Sequence, residues 1–208
     1  MSKKFLAFLG FIVLLSFARP IVMPGKSPYL FLLWNLFLAA LPYFFVLLKN
    51  RISNSGIYQW FLIGLWLLFL PNAPYIITDL VHLDHSMGFD WYDTVLILSA
   101  GIAGIKFAFD SLDLMLKDFK QRIPFIPTWA WNFIFLSLSA YGIYLGRYLR
   151  FNSWDILTQP LGLLRSCAEL FLHPFQHQQE WSMIVIFAAF LLLLRQIWPK
   201  EILEKTED

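Results

Sequence analysis

Runs of about twenty apolar residues recur along the chain, each closed by a charge, a proline or a few small polar residues. Backbone amides in lipid must bond within their own segment, so a hydrocarbon core of about 30 Å is crossed by helices of this length. The clearest run is 29–48, without a charge and closed by Lys49 and Arg51. Others cover 57–77, ending in Pro71-Asn72-Ala73-Pro74; 93–108, with Lys106 placed to reach outward at its end; 128–148; and 181–198. A shorter run, 5–18, lies between Lys3/Lys4 and Arg19. The pattern predicts an all-α polytopic bundle of about six transmembrane helices, forming one domain over 1–208. Run 5–18 also has the form of a signal peptide, with Ser16-Phe17-Ala18 as a tolerable cleavage site. A retained helix ended by Arg19-Pro20 is expected.

Two stretches have helical periodicity without being long enough to span. In 110–121, Leu112, Met115, Leu116 and Phe119 fall at i, i+3, i+4 and i+7, opposite Asp113, Lys117 and Lys120. In 161–172, Leu161, Leu164, Ala168 and Phe171 share a side, with Arg165 and Glu169 elsewhere. Both are expected as amphipathic surface segments, the first lying among headgroups.

Composition agrees with this picture. Of 208 residues, 59% are hydrophobic and 14% charged, and mean hydropathy is +0.62, whereas soluble domains carry roughly 25% charged residues. The lipid bilayer is the implied partner. A net charge of +2 gives no support to nucleic-acid binding. A single cysteine, Cys167, excludes an internal disulfide and a CxxC redox pair. No phosphate-binding glycine loop, nucleophile elbow or HExxH pair is present. No cofactor follows from the sequence.

Orientation follows from the Lys/Arg bias of the loops. With the N-terminus inside, the inner segments hold Lys3, Lys4, Lys49, Arg51, Lys106, Lys117, Lys120, Arg122, Arg195, Lys200 and Lys205. The outer loops hold only Arg19, Lys26, Arg147, Arg150 and Arg165. Both termini are therefore expected in the cytoplasm. Small residues suggest where helices approach closely. Ser99, Ala100, Gly101, Ala103 and Gly104 form one such stripe, and Ser137, Ser139, Ala140, Gly142 and Gly146 another, expected to face each other.

Polar residues collect at the expected outer face. Pro71 and Pro74 lack the N–H that continues a helix, and such a break suits a site buried in protein or lining a wet cavity. Asn72 is placed to satisfy some of the freed carbonyls. Asp79 and His82 follow at i, i+3, then Asp84, His85, Asp90 and Asp93. The run 141–155 supplies Arg147, Arg150, Asn152 and Asp155. The topology brings both sets to one side of the membrane and predicts ion pairs between Asp79 or Asp93 and Arg147 or Arg150. Asp79, His82 and Asp93 also have the chemistry of metal ligands, although D-x-x-H spacing is common.

The strings LWNLFLAALPY, FLPNAPYIITDLVHL, WYD at Trp91–Asp93 and YGIYLGRYLRFNSWD together resemble a family of bacterial polytopic membrane proteins known only as a domain of unknown function. The likeness covers about 30–195. It implies a bacterial cytoplasmic membrane and a multi-helix fold, and it transfers no activity. The motif residues matched are Asn72, Asp79, His82, Asp93, Arg147, Arg150, Asn152 and Asp155. Three functions are open at this stage. The first is a small-solute transporter or binding protein using the outer polar cluster. The second is a membrane-embedded, metal-dependent or metal-free enzyme on a lipid-linked or envelope substrate. The third is a structural or assembly protein. Transport with proton coupling calls for an ionisable group deep in a span, and the spans as delimited above contain none.

Overall fold

The computed structural model describes residues 1–52, 56–82 and 91–198. Among them every regular element is helical. Asp84, His85 and Asp90 lie outside the described residues, as does the side chain of His82. The chain divides into two compact units, Met1–Ser111 and Leu112–Asp208.

In the first unit, α1 (Lys3–Val22) starts on Ser2, whose Oγ accepts the Phe5 N–H at 3.2 Å. It runs past Arg19 and Pro20, where the sequence suggested an end. Pro20 removes one helix bond. Nearby, the Tyr92 hydroxyl donates to the Leu15 carbonyl at 2.7 Å and the Ser16 hydroxyl to that of Ile12 at 2.9 Å. Next, α2 (Leu30–Arg51) closes with Lys49 and Arg51, as basic residues favour the negative end of a helix dipole. The third run is interrupted as its prolines predict. Helix α3 (Gly56–Phe69) stops before Pro71; a single turn, α4 (Asn72–Tyr75), and a 3-10 stretch (Ile76–His82) follow. Side chains take up freed carbonyls: Asn72 Nδ2 donates to Phe69 O at 3.1 Å, and Thr78 Oγ1 to Tyr75 O at 2.6 Å.

Helix α5 (Trp91–Arg122) differs most from expectation. Residues 110–121 are not a separate surface segment but continue the helix begun at Trp91. No glycine or proline falls between Lys106 and Arg122, and Lys106–Asp110 and Asp118–Arg122 pair at i, i+4. Leu112, Met115, Leu116 and Phe119 are buried in protein. An amphipathic stripe does not reveal whether its partner is a headgroup layer or another helix.

The small-residue stripe of α5 also has a definite occupant. A Cβ at Gly104 would collide with the Ala73 carbonyl oxygen, and one at Gly101 would lie 3.5 Å from Ile77 Cα. The glycines therefore form a notch that seats the broken segment against α5.

In the second unit, α6 (Thr128–Arg147) packs on α9 (Gln178–Ile197) through Ala140, Tyr144, Ile184 and Ala188, joined by Leu170 of α8 (Pro160–Leu172). Trp181 Nε1 donates to the Leu170 carbonyl at 3.3 Å and ties α8 to α9. A short α7 (Asp155–Thr158) precedes α8. On α8 the periodic residues Leu161, Leu164 and Phe171 are exposed, while Leu170 faces the core.

Five helical stretches are long and apolar enough to cross a membrane: Lys3–Val22, Leu30–Arg51, Gly56–Leu80, Trp91–Arg122 and Gln178–Ile197. Helix α6 matches them in length and is not among them, because Asn132, Ser137, Ser139 and its Trp and Tyr residues dilute its hydropathy. Burial supports lipid as the solvent. Leu14, Phe17, Ile21, Trp60, Phe61 and Val185 are exposed, whereas Arg19, Asp79, Asp93 and Asp110 are inside.

Candidate functional site

The polar residues expected at one face are divided between the two units. In the first, Asp93 opens α5 and is 3% exposed. Arg19 grips it with two bonds, Nε to Oδ1 at 2.6 Å and Nη2 to Oδ2 at 2.5 Å. The third guanidinium nitrogen, Nη1, donates to the Ser27 carbonyl at 2.6 Å. The guanidinium carbon sits 3.7 Å from the centre of the Tyr29 ring, and the Tyr29 hydroxyl donates to Asp93 Oδ2 at 2.9 Å. Arg19 suits this place because its planar fork matches a carboxylate and stacks on an aromatic face at once. The arrangement joins the end of α1, the following loop, the start of α2 and the start of α5. It is a clasp with both partners' polar atoms engaged.

Asp79, in the 3-10 stretch after the break, is 2% exposed and accepts from Asn35 Nδ2 of α2 at 2.9 Å. Asn35 lies nearly two turns beyond Tyr29, so both carboxylates are met by the opening turns of α2. Asn72 is the side-chain cap of the break itself.

A second charged group lies further along α5. Lys106 Nζ is 3.2 Å from Asp110 Oδ2, with the side chains 18% and 11% exposed. Lys106 does not reach out of the bundle as expected. Its Nζ lies 5.4 Å from the centre of the Phe5 ring, and Phe107 meets Phe5 edge-on and the Tyr43 ring at a tilt nearby. The surroundings are aromatic, and ring faces add to the carboxylate as partners of the ammonium group. At the residue after Asp110, Trp66 Nε1 donates to Ser111 Oγ at 3.2 Å.

In the second unit, Arg147 is the last residue of α6. Arg150 adopts a left-handed backbone with φ 60°, unusual for a residue other than glycine, as the chain turns and the Phe151 N–H donates to the Leu145 carbonyl at 3.0 Å. Asn152 and Asp155 belong to one local motif. Asp155 Oδ2 accepts the Asn152 N–H at 2.6 Å, and Oδ1 accepts the Thr158 hydroxyl at 2.8 Å. These bonds stabilise the carboxylate and hold its pKa below the ordinary value.

Sequence reasoning missed Arg19, Tyr29 and the Lys106–Asp110 pair. Arg19 was readable as the charge inside an apolar run that extends to Val22, had the run not been ended at Ala18. Lys106–Asp110 has the i, i+4 spacing of a helical ion pair and was divided by the boundary drawn at 108. Among the described residues, no group of three His, Cys, Asp or Glu side chains is gathered as a metal ion requires.

The fold and this inverted polarity, charged inside and apolar outside, define an all-α membrane protein. Residues 34–194 match the DUF1361 family, described as proteins of unknown function, and the chain belongs to that family. No curated protein and no solved structure matches it.

Proposed function

We propose that this is a multi-pass protein of a bacterial cytoplasmic membrane, both termini cytoplasmic, that moves or binds a small solute. The site we assign to it lies in the first unit, where the interrupted third run and its Asp79–Asn35 pair sit beside α5. The observation that carries the reading is the Lys106–Asp110 pair. A helix of 32 residues rises about 48 Å, with Lys106 about 22 Å and Asp110 about 28 Å from its first residue. Any 30 Å of hydrocarbon lying along that helix includes both residues. Ionisable residues at such depth are costly and typically mark ion or substrate pathways, and discontinuous helices accompany them in transporters. Pro71 and Pro74 supply the discontinuity, and Gly104 lets it approach α5.

A second reading, a structural or assembly protein, is favoured by the Arg19–Asp93–Tyr29 clasp, which spends its hydrogen-bonding capacity internally. Transport and structure separate experimentally. Proteoliposomes under an inward proton gradient are offered an isotope-labelled pool of bacterial small metabolites, and their contents are read by mass spectrometry. The transporter reading expects solutes enriched in vesicles with the native protein and not in those with Asp110→Asn. Identical contents in native, Asp110→Asn and protein-free vesicles would overturn it.

A further inference from the structure

The second unit contains a cleft of about 750 Å³ between the end of α5, the start of α6 and the end of α9. We infer that it binds a phosphate-bearing anion, and that its lining favours an anionic phospholipid headgroup as the source. Among the described residues, Lys117, Lys120 and Arg195 line the cleft with one carboxylate, Asp113. Asp113 is matched by an ion pair with Arg195. Asp118, the neighbouring carboxylate on α5, is engaged by Arg122 at 3.0 Å. Among the described residues, Lys117 and Lys120, both exposed, therefore give the cleft a positive charge that the acids lining it do not cancel.

The start of α6 adds to this field. Thr128 and Trp129 line the cleft as the first residues of a twenty-residue helix, and Pro127 before them provides no side-chain cap. The Ala130 and Trp131 N–H groups donate to the Pro127 carbonyl, and the Thr128 and Trp129 N–H groups before them open the helix at the positive end of its dipole, an arrangement that suits phosphate oxygens.

Size and apolar lining indicate what carries the phosphate. The volume falls in the range of about 300–1,000 Å³ typical of sites for whole organic ligands rather than isolated ions. Trp129 and Phe133, one turn apart on α6, are 72% and 56% exposed and continue the lining toward the apolar exterior. Tryptophan is favoured at headgroup depth, and basic pockets between membrane helices suit anionic headgroups. An amphiphile with phosphate on the lysines and acyl chains beyond Trp129 and Phe133 satisfies both halves of the lining. This inference stands apart from the proposed transport role, since it uses none of the same residues.

The test uses the full chain in detergent, with melting temperature and native mass spectrometry as readouts. The probes are dioctanoyl phosphatidylglycerol, dioctanoyl phosphatidylcholine and inorganic phosphate. Phosphatidylglycerol is expected to raise the melting temperature and remain bound at one per chain. In K117Q/K120Q its affinity should fall about tenfold or more, since each lysine contributes on the order of 1 kcal/mol toward an anionic headgroup. K3Q/K4Q, which loses the same charge at the N-terminus, should bind like the native protein. Inorganic phosphate stabilising as strongly as the lipid, with the effect lost in K117Q/K120Q, would retain the anion site and assign its ligand to solution. Equal affinity for phosphatidylcholine and phosphatidylglycerol, or equal losses in the two double variants, would overturn the inference.

Discussion

Arg19 and Asp93 are 74 residues apart in sequence and meet through two short hydrogen bonds inside the first unit, each almost fully buried. Removing either partner takes from the other its opposite charge inside the protein, which costs about 3–5 kcal/mol. Arg19→Ala and Asp93→Ala should each lower the melting temperature sharply. The double variant should lose far less than the sum of the two, because neither charge is then stranded. Additive losses in a thermal double-mutant cycle would show that the two side chains act independently.

Gly104 and Gly101 should separate cleanly. A methyl at Gly104 meets the Ala73 carbonyl, which belongs to backbone and cannot rotate away, whereas at Gly101 it makes ordinary contact with Ile77. Gly104→Ala is expected to destabilise by about 1–3 kcal/mol, the cost of overpacking, and Gly101→Ala to have little effect. Thermal melts of the two purified variants decide this, and similar melting temperatures would mean that the broken segment does not rest on α5.

Arg150 carries backbone strain that glycine would relieve. A left-handed conformation costs an L-residue roughly 1–2 kcal/mol relative to glycine. Arg150→Gly should therefore melt above Arg150→Ala, since both lose the same side chain beyond Cβ. Circular-dichroism melts of the pair suffice, and an Ala variant equal to the Gly variant would contradict the turn geometry.

Asp155 sets a pH dependence of defined sign. Its folded pKa is held below the ordinary 3.8 by the Asn152 N–H and the Thr158 hydroxyl. A depressed carboxylate pKa stabilises the fold fully above the unfolded value and ceases to do so as pH falls through the folded one. The turn from Asn152 to Thr158 should thus hold at neutral and mildly acidic pH and loosen only below about pH 4. Carbon-13 NMR titration of the Asp155 carboxyl should place its midpoint under 3.8, and Thr158→Val should move it upward. A midpoint at or above the ordinary value would remove both hydrogen bonds from the account.

The apolar runs, the proline break and the closing charges were legible because each is a local property. Run length against bilayer thickness determines that the chain makes membrane-length helices, and Pro71 and Pro74 interrupt the third wherever it lies. Asn72 as a local cap and Asp155 as part of a tight turn were within reach for the same reason, since their partners are three residues away. What only the tertiary structure decided is which distant charges meet. Asp93 is gripped by Arg19 and Tyr29, Asp79 by Asn35, and the glycines of α5 receive a backbone carbonyl of the broken segment. A lone sequence marks which side chains need a partner in a low dielectric, but several cations and amides can meet that need. The choice among them is made by how the helices stack, and no periodicity along one chain encodes it.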